Sequence, residues 1–177
     1  MSRIAFASNP ELESHSPSQA AADALREAAG ADMAFLAAGM VKPLASVSDL
    51  SQLLVYPTDT LSVVKLSGAQ IRLALERSVS LVPLPSSAFL QISGLEVAFS
   101  KSAPVDKRIT DVSVGNSKLD GSKVYTVAMP TTLARGGLGY FKVWNKDAIT
   151  RTLDGTLESI LKGKTNRNTS DRWTASN

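Results

Sequence analysis

His15 is the single histidine of a 177-residue chain that has 16 acidic side chains and no cysteine. A two-metal hydrolytic centre gathers several His, Asp and Glu ligands around ions about 3.5–4 Å apart. One histidine supplies neither a zinc cluster nor the usual dinuclear site, so no metal or other cofactor is expected in this chain. A Ser-His-Asp triad would have to use His15 as its base. That residue lies in the turn-like stretch Glu11-Leu12-Glu13-Ser14-His15-Ser16-Pro17, which has no nucleophile motif of the Gly-x-Ser-x-Gly kind. His15 is therefore expected at the surface ahead of a helix, and the chain is not expected to catalyse alone. Without cysteine there are no structural disulfides, iron–sulfur clusters or thiol catalysis. The other concentration of functional groups is basic: Lys162, Lys164, Arg167 and Arg172. They sit in a polar C-terminal stretch of a chain whose net charge is only +3, so they read as a solvated tail. No nucleic-acid partner is expected.

The elements that must carry any site follow from periodicity and punctuation. The chain is 44% hydrophobic and 20% charged, the balance of a soluble globular domain with a core large enough to need no staple. No apolar run reaches the roughly 18–20 residues that span a bilayer. A short strand is expected at Ile4–Ala7. Ser16-Pro17-Ser18-Gln19 has the capping-box form and opens an Ala-rich helix running to Ala29 and stopped by Gly30. Met33 to Ala37 reads as a buried strand, and Ser48 as the cap of a brief helix to Leu53 or Leu54. Leu61 to Leu66 is a strand; Ser67-Gly68-Ala69-Gln70 repeats the capping box, with Ile71, Ala74, Leu75, Ser78 and Val79 as the buried stripe of a helix. Alternation then marks strands at Leu95–Phe99, Val112–Val114 before a Gly115-Asn116 turn, and Tyr125–Met129. A last helix passes through Leu157, Ile160 and Leu161 and stops at Gly163. The expectation is one α+β domain with a mixed β-sheet packed with helices over residues 1–163, followed by a fraying polar tail, 164–177.

Several segments, taken in order, resemble the C-terminal domain of the 5'-nucleotidase family. They are Ala22-Asp23-Ala24-Leu25-Arg26 with Ala31-Asp32-Met33; the strand, turn and helix around Ser67-Gly68-Ala69-Gln70-Ile71; and Phe89-Leu90-Gln91-Ile92-Ser93-Gly94. Arg108-Ile109-x-x-Val112, Tyr125-Thr126-Val127-Ala128 and Leu133-Ala134-Arg135-Gly136-Gly137-Leu138-Gly139-Tyr140 complete the set. The resemblance implies a nucleotide- or nucleoside-binding domain whose hydrolytic partner is an N-terminal metallophosphoesterase domain carrying two divalent metals. It also implies a periplasmic or extracellular setting, although no export signal is visible at the N-terminus.

Carried over residue by residue, the resemblance puts Phe89 where a stacking aromatic stands, although the same position suits a core Phe ahead of a strand. Gln91 would replace an amide touching the base edge, and Lys42 a phosphate-binding arginine, keeping charge but losing the bidentate fork. Gly136 and Gly137, with Gly139, would keep a backbone turn, and Tyr140 beside them could supply a ring. Arg72 and Arg77 are further phosphate candidates, against a solvated helix face with an Arg72–Glu76 pair. Three positions depart from the family. Ala37 has lost an amide, Thr132 a stacking ring, and Leu138 the acidic group that bonds ribose. Two functions therefore follow as expectations: a ligand-holding domain with a partly degenerate pocket, or an interaction module that keeps the fold alone. Asn168-Thr169-Ser170 matches a glycosylation acceptor pattern.

Overall fold

The computed structural model describes residues 9–166 and 169–177, so the strand expected at Ile4–Ala7 lies outside the described residues, as do Arg167 and Asn168. The described residues form the expected α+β domain of mixed β-structure packed with helices, its strands divided between a five-stranded and a four-stranded sheet. In the larger sheet β1 (Met33–Ala37) lies between β3 (Leu90–Ser93) and β7 (Val124–Pro130), and β2 (Leu61–Ser67) lies between β7 and β8 (Ile149–Thr152). Only the β1–β7 pair in it is parallel. The smaller sheet runs β6 (Ser117–Lys118), β5 (Ile109–Val114), β4 (Glu96–Ser100) and β9 (Trp173–Ser176). β1 is buried on both faces, whereas β4 in the smaller sheet alternates buried with more exposed residues.

Helix α1 (Ser16–Ala29) packs on β1 and β3 with Ala20, Ala21, Ala22, Ala24 and Ala29 buried and Ala28 exposed, since short side chains let helix and sheet approach closely. Its N-cap is His15 and not Ser16, and Gly30 closes it in the left-handed conformation. Helix α2 (Gly68–Ser78) starts at the expected capping box. The Ser67 hydroxyl accepts from the Gln70 backbone amide (3.1 Å), and the Gln70 side-chain oxygen accepts from the Ser67 backbone amide (3.0 Å). Such a cap is worth about 1 kcal/mol. All five residues of the expected stripe on α2 are buried. Between β1 and β2 the brief helix is a 3-10 turn, Leu50–Leu53, capped by Asp49 one residue later than expected.

Three expectations need correction. His15 is buried, because its ring fills the start of α1. Nε2 donates to the Leu44 carbonyl (2.8 Å), which leaves Nδ1 to accept from the Ser18 hydroxyl (2.6 Å). Burial holds its pKa below the ordinary 6.5, against the opposing pull of the Leu44 carbonyl. The C-terminal stretch is not a fraying tail. β9 pairs in parallel with β4, and Trp173 is 6% exposed, its ring centroid 5.0 Å from Phe89 and 5.8 Å from Phe99. Its indole N–H donates to the Leu90 carbonyl (2.8 Å). Arg172, counted above among solvated cations, pairs with Asp23 (2.8 Å) and donates to the Ile92 carbonyl (2.7 Å). Glu76 forms no pair with Arg72. It is buried and accepts from the amides of Arg108 (3.1 Å) and Ile109 (2.5 Å). Arg108 in turn donates to the carbonyls of Val79 (2.7 Å) and Val82 (2.9 Å), so this family-like motif ties β5 to the end of α2.

Candidate functional site

Two chain reversals at one end of the larger sheet build a cleft. After β1 the chain turns through a 3-10 helix, Ala38–Met40, held against the 87–89 segment by Ala38 N–H to the Phe89 carbonyl (2.8 Å) and Gly39 N–H to the Ser87 carbonyl (2.9 Å). Gly39 lies so close to that segment that an added Cβ would sit 3.0 Å from the Ser87 Cβ. The strand-like stretch from Met40 then zips to the 53–55 segment: Lys42 N–H donates to Leu53 (2.7 Å) and Val55 N–H to Met40 (3.1 Å). This presents Tyr56 at the surface, 58% exposed.

The second reversal follows β7. A single α-helical turn, α3 (Thr131–Ala134), leads into the glycine segment. The Asp59 carboxylate joins the two reversals, accepting from the Thr60 amide (2.8 Å) and the Thr132 amide (3.3 Å). Beneath it the hydroxyls of Thr60, Thr131, Ser62 and Thr152 form a continuous chain with O···O distances of 2.6–2.8 Å. Gly136 has φ +97°, and a Cβ there would stand 2.9 Å from the Phe141 Cα, so the turn needs glycine. Gly39, Met40, Tyr56, Thr132 and Leu138 enclose a notch of about 200 Å³.

The six sequence-derived site residues divide evenly. Lys42 is exposed on the strand-like stretch just after Met40, and Gly136 and Gly137 shape the loop that carries Leu138. Phe89, Gln91 and Tyr140 are in the core. Phe89 has no exposed face because Trp173 covers it, so it cannot stack on a base. The Gln91 amide is spent internally, accepting from His15 N–H (3.0 Å) and donating to the carbonyls of Pro10 (2.9 Å) and Glu13 (2.8 Å). Tyr140 stacks on Trp144 with centroids 4.9 Å apart and donates its hydroxyl to the Ala88 carbonyl (2.5 Å). Burial pushes its phenol well above the ordinary range, with the Arg77 charge opposing, so it stays neutral. The two arginines are committed as well: Arg72 donates to the Ile109 carbonyl (2.8 Å) and Arg77 to that of Leu138 (3.1 Å through Nε).

Tyr56 and Met40 were missed. Tyr56-Pro57 in the loop before β2 was the available signal, an aromatic in a proline-marked turn. Larger concavities lie elsewhere, including an open seam of about 700 Å³ beside Asp23, Asp32 and Arg172. Three of its charged groups already pair with the protein, Asp23 with Arg172 (2.8 Å) and Asp32 with the Thr126 amide (2.9 Å). Among the described residues no three His, Asp or Glu side chains gather to hold a metal ion. Nor is any described helix long and apolar enough to cross a membrane.

A family model for the 5'-nucleotidase C-terminal domain matches residues 5–145. A 5'-nucleotidase-related protein of Glossina morsitans morsitans is 32% identical over 127 residues, covering 62% of this chain and 22% of that protein. The snake venom 5'-nucleotidase of Naja atra is 30% identical over 90 residues, covering 46% of this chain and 17% of that one. Among solved structures, the 5'-nucleotidase precursor of Thermus thermophilus superposes with a TM-score of 0.79 at 25% identity, over 95% of this chain and 36% of that one. The chain thus spans less than a quarter of the length of these two curated relatives.

Proposed function

The chain belongs to the 5'-nucleotidase family through its C-terminal domain, and on that premise we propose that it holds the organic part of a nucleotide or nucleoside. A phosphate-ester bond would be broken elsewhere, by an N-terminal metallophosphoesterase domain that would carry two divalent metals. The observation that supports this is the notch itself: an exposed Tyr56 ring faces a glycine-built loop across a cleft made by both chain reversals. Stacking on such a ring is worth about 1–3 kcal/mol per base. Lys42, exposed on the adjoining stretch, supplies attraction for a phosphate without fixing its orientation.

A second reading, an interaction module with no small-molecule ligand, draws on the burial of Phe89, Gln91 and Tyr140 and on the apolar Leu138 wall. Calorimetric titration of the full chain with adenosine, uridine and AMP separates the two. Saturable binding that disappears in Tyr56→Ala, with unfolding unchanged, supports ligand holding. No heat and no thermal shift at millimolar nucleoside supports the interaction module.

A further inference from the structure

Strand β9 closes the smaller sheet, and no described strand pairs with its outer edge. On the inner side Val97 N–H donates to the Arg172 carbonyl (2.7 Å) and Lys101 N–H to the Ser176 carbonyl (2.8 Å). Backbone groups alternate along a strand, so Trp173 and Ala175 turn theirs outward. The Ser14 hydroxyl takes the Trp173 N–H (3.0 Å). Among the described residues this leaves the Trp173 carbonyl and both backbone polar groups of Ala175 without a strand partner. Edge strands are normally guarded by charge, by proline or by a cover. Trp173-Thr174-Ala175-Ser176 contains neither charge nor proline.

Beside that edge lies a groove of about 410 Å³ with Val82, Pro83, Phe99 and Trp173 as its apolar lining. Leu12, Glu13 and Ser14 line it too, and the Arg172 and Trp173 amides, both 3.0 Å from the Ser14 hydroxyl, fix that stretch at the start of β9. Asn9 is tied to the same turn. Its carbonyl accepts from the Leu12 and Glu13 amides (3.0 and 3.1 Å), and its amide donates to the Glu13 carboxylate (3.2 Å). The chain leading into Asn9 therefore arrives beside the groove. It reads Met1-Ser2-Arg3-Ile4-Ala5-Phe6-Ala7-Ser8, and eight extended residues reach about 26 Å, against about 13 Å for a four-residue strand.

We infer that the outer edge of β9 is a strand-acceptor site and that its occupant is residues 4–7 of the same chain, added antiparallel because Asn9 enters at the start of β9. Residues opposite each other in a ladder share a face. Ile4 and Phe6 would thus lie on the groove side with Trp173 and Ala175 and direct their backbone groups at β9, while Ala5 and Ala7 face solvent. A short tether gives an effective concentration of about millimolar, so this segment displaces a second copy or a free peptide at lower concentration. The inference is independent of the ligand-holding reading.

Amide exchange on the full 177-residue chain tests it. The Ala175 amide is expected to be protected in the native chain. Phe6→Asp and Ile4→Asp, which would bury a carboxylate in the groove, should each quicken its exchange at least about tenfold. Ala5→Asp, the same charge on the solvent face, should leave it unchanged. Unaltered exchange across β1 in every variant shows that the domain remains folded. An Ala175 amide that exchanges freely in the native chain overturns the inference. Protection that survives Phe6→Asp and Ile4→Asp overturns it too, and where that protection falls on dilution, a second copy covers the edge instead. Equal loss in Ala5→Asp also overturns it, since a paired strand presents its two faces differently.

Discussion

Replacing Trp173 by alanine separates a structural C-terminal strand from a solvated tail. The indole is 6% exposed, contacts Phe89 and Phe99, and donates to the Leu90 carbonyl. Truncating a buried tryptophan costs about 3–5 kcal/mol, a range that already contains the ring contacts and the orphaned carbonyl. At about 4 kcal/mol the folding equilibrium shifts roughly 10³-fold, a large share of the 5–15 kcal/mol that domains typically have. For a chain of this length the midpoint should fall by about 8–16 °C. Urea unfolding followed by circular dichroism measures this directly, with an unchanged slope confirming that the same surface is exposed. Trp173→Phe should lose less, since it keeps a ring against Phe89 and forfeits only the indole bond and part of the area. A solvated tail would lose no more than about 0.5 kcal/mol. A loss below about 1 kcal/mol in Trp173→Ala would refute the packing argument and return residues 171–176 to solvent.

His15 makes acid stability testable. Its folded-state pKa lies below 6.5, so the unfolded chain takes up the proton first. Its contribution is whole above pH 6.5 and is lost as pH falls below that value toward the folded-state pKa. Unfolding free energies from about pH 7 to 5 should decline, and His15→Gln should flatten that decline. Phe89→Ala should cost about 3–5 kcal/mol of stability because it opens a core cavity. Tyr56→Ala should change stability by less than about 0.5 kcal/mol while abolishing nucleoside binding. The opposite pattern would put the site at Phe89. Arg77→Met should release the Leu138 carbonyl at a cost of about 1–3 kcal/mol, seen as faster amide exchange across 136–142. Unchanged exchange there would show that the guanidinium does not hold the loop.

Local signals were enough for the elements. The capping box at Ser67, the stripe on α2, the apolar run of β1 and the alternation in β4 are each written within a few residues, because helix and strand periodicities are properties of the backbone. The ordered motifs carried the family for the same reason. What tertiary structure decided was which polar and aromatic groups remain available to a ligand. Phe89 is taken by the ring of Trp173, far along the chain, and Gln91 by the 10–15 segment far upstream. Arg77 is taken by the Leu138 carbonyl. Tyr56 stays exposed because Met40 and Val55 zip together and leave it outside. β9 was hidden because three of its four side chains face solvent, and only the distant β4 gives Trp173 a place to bury. Periodicity records the face a residue presents. The partner that covers it depends on long-range pairing, which no short window of residues contains.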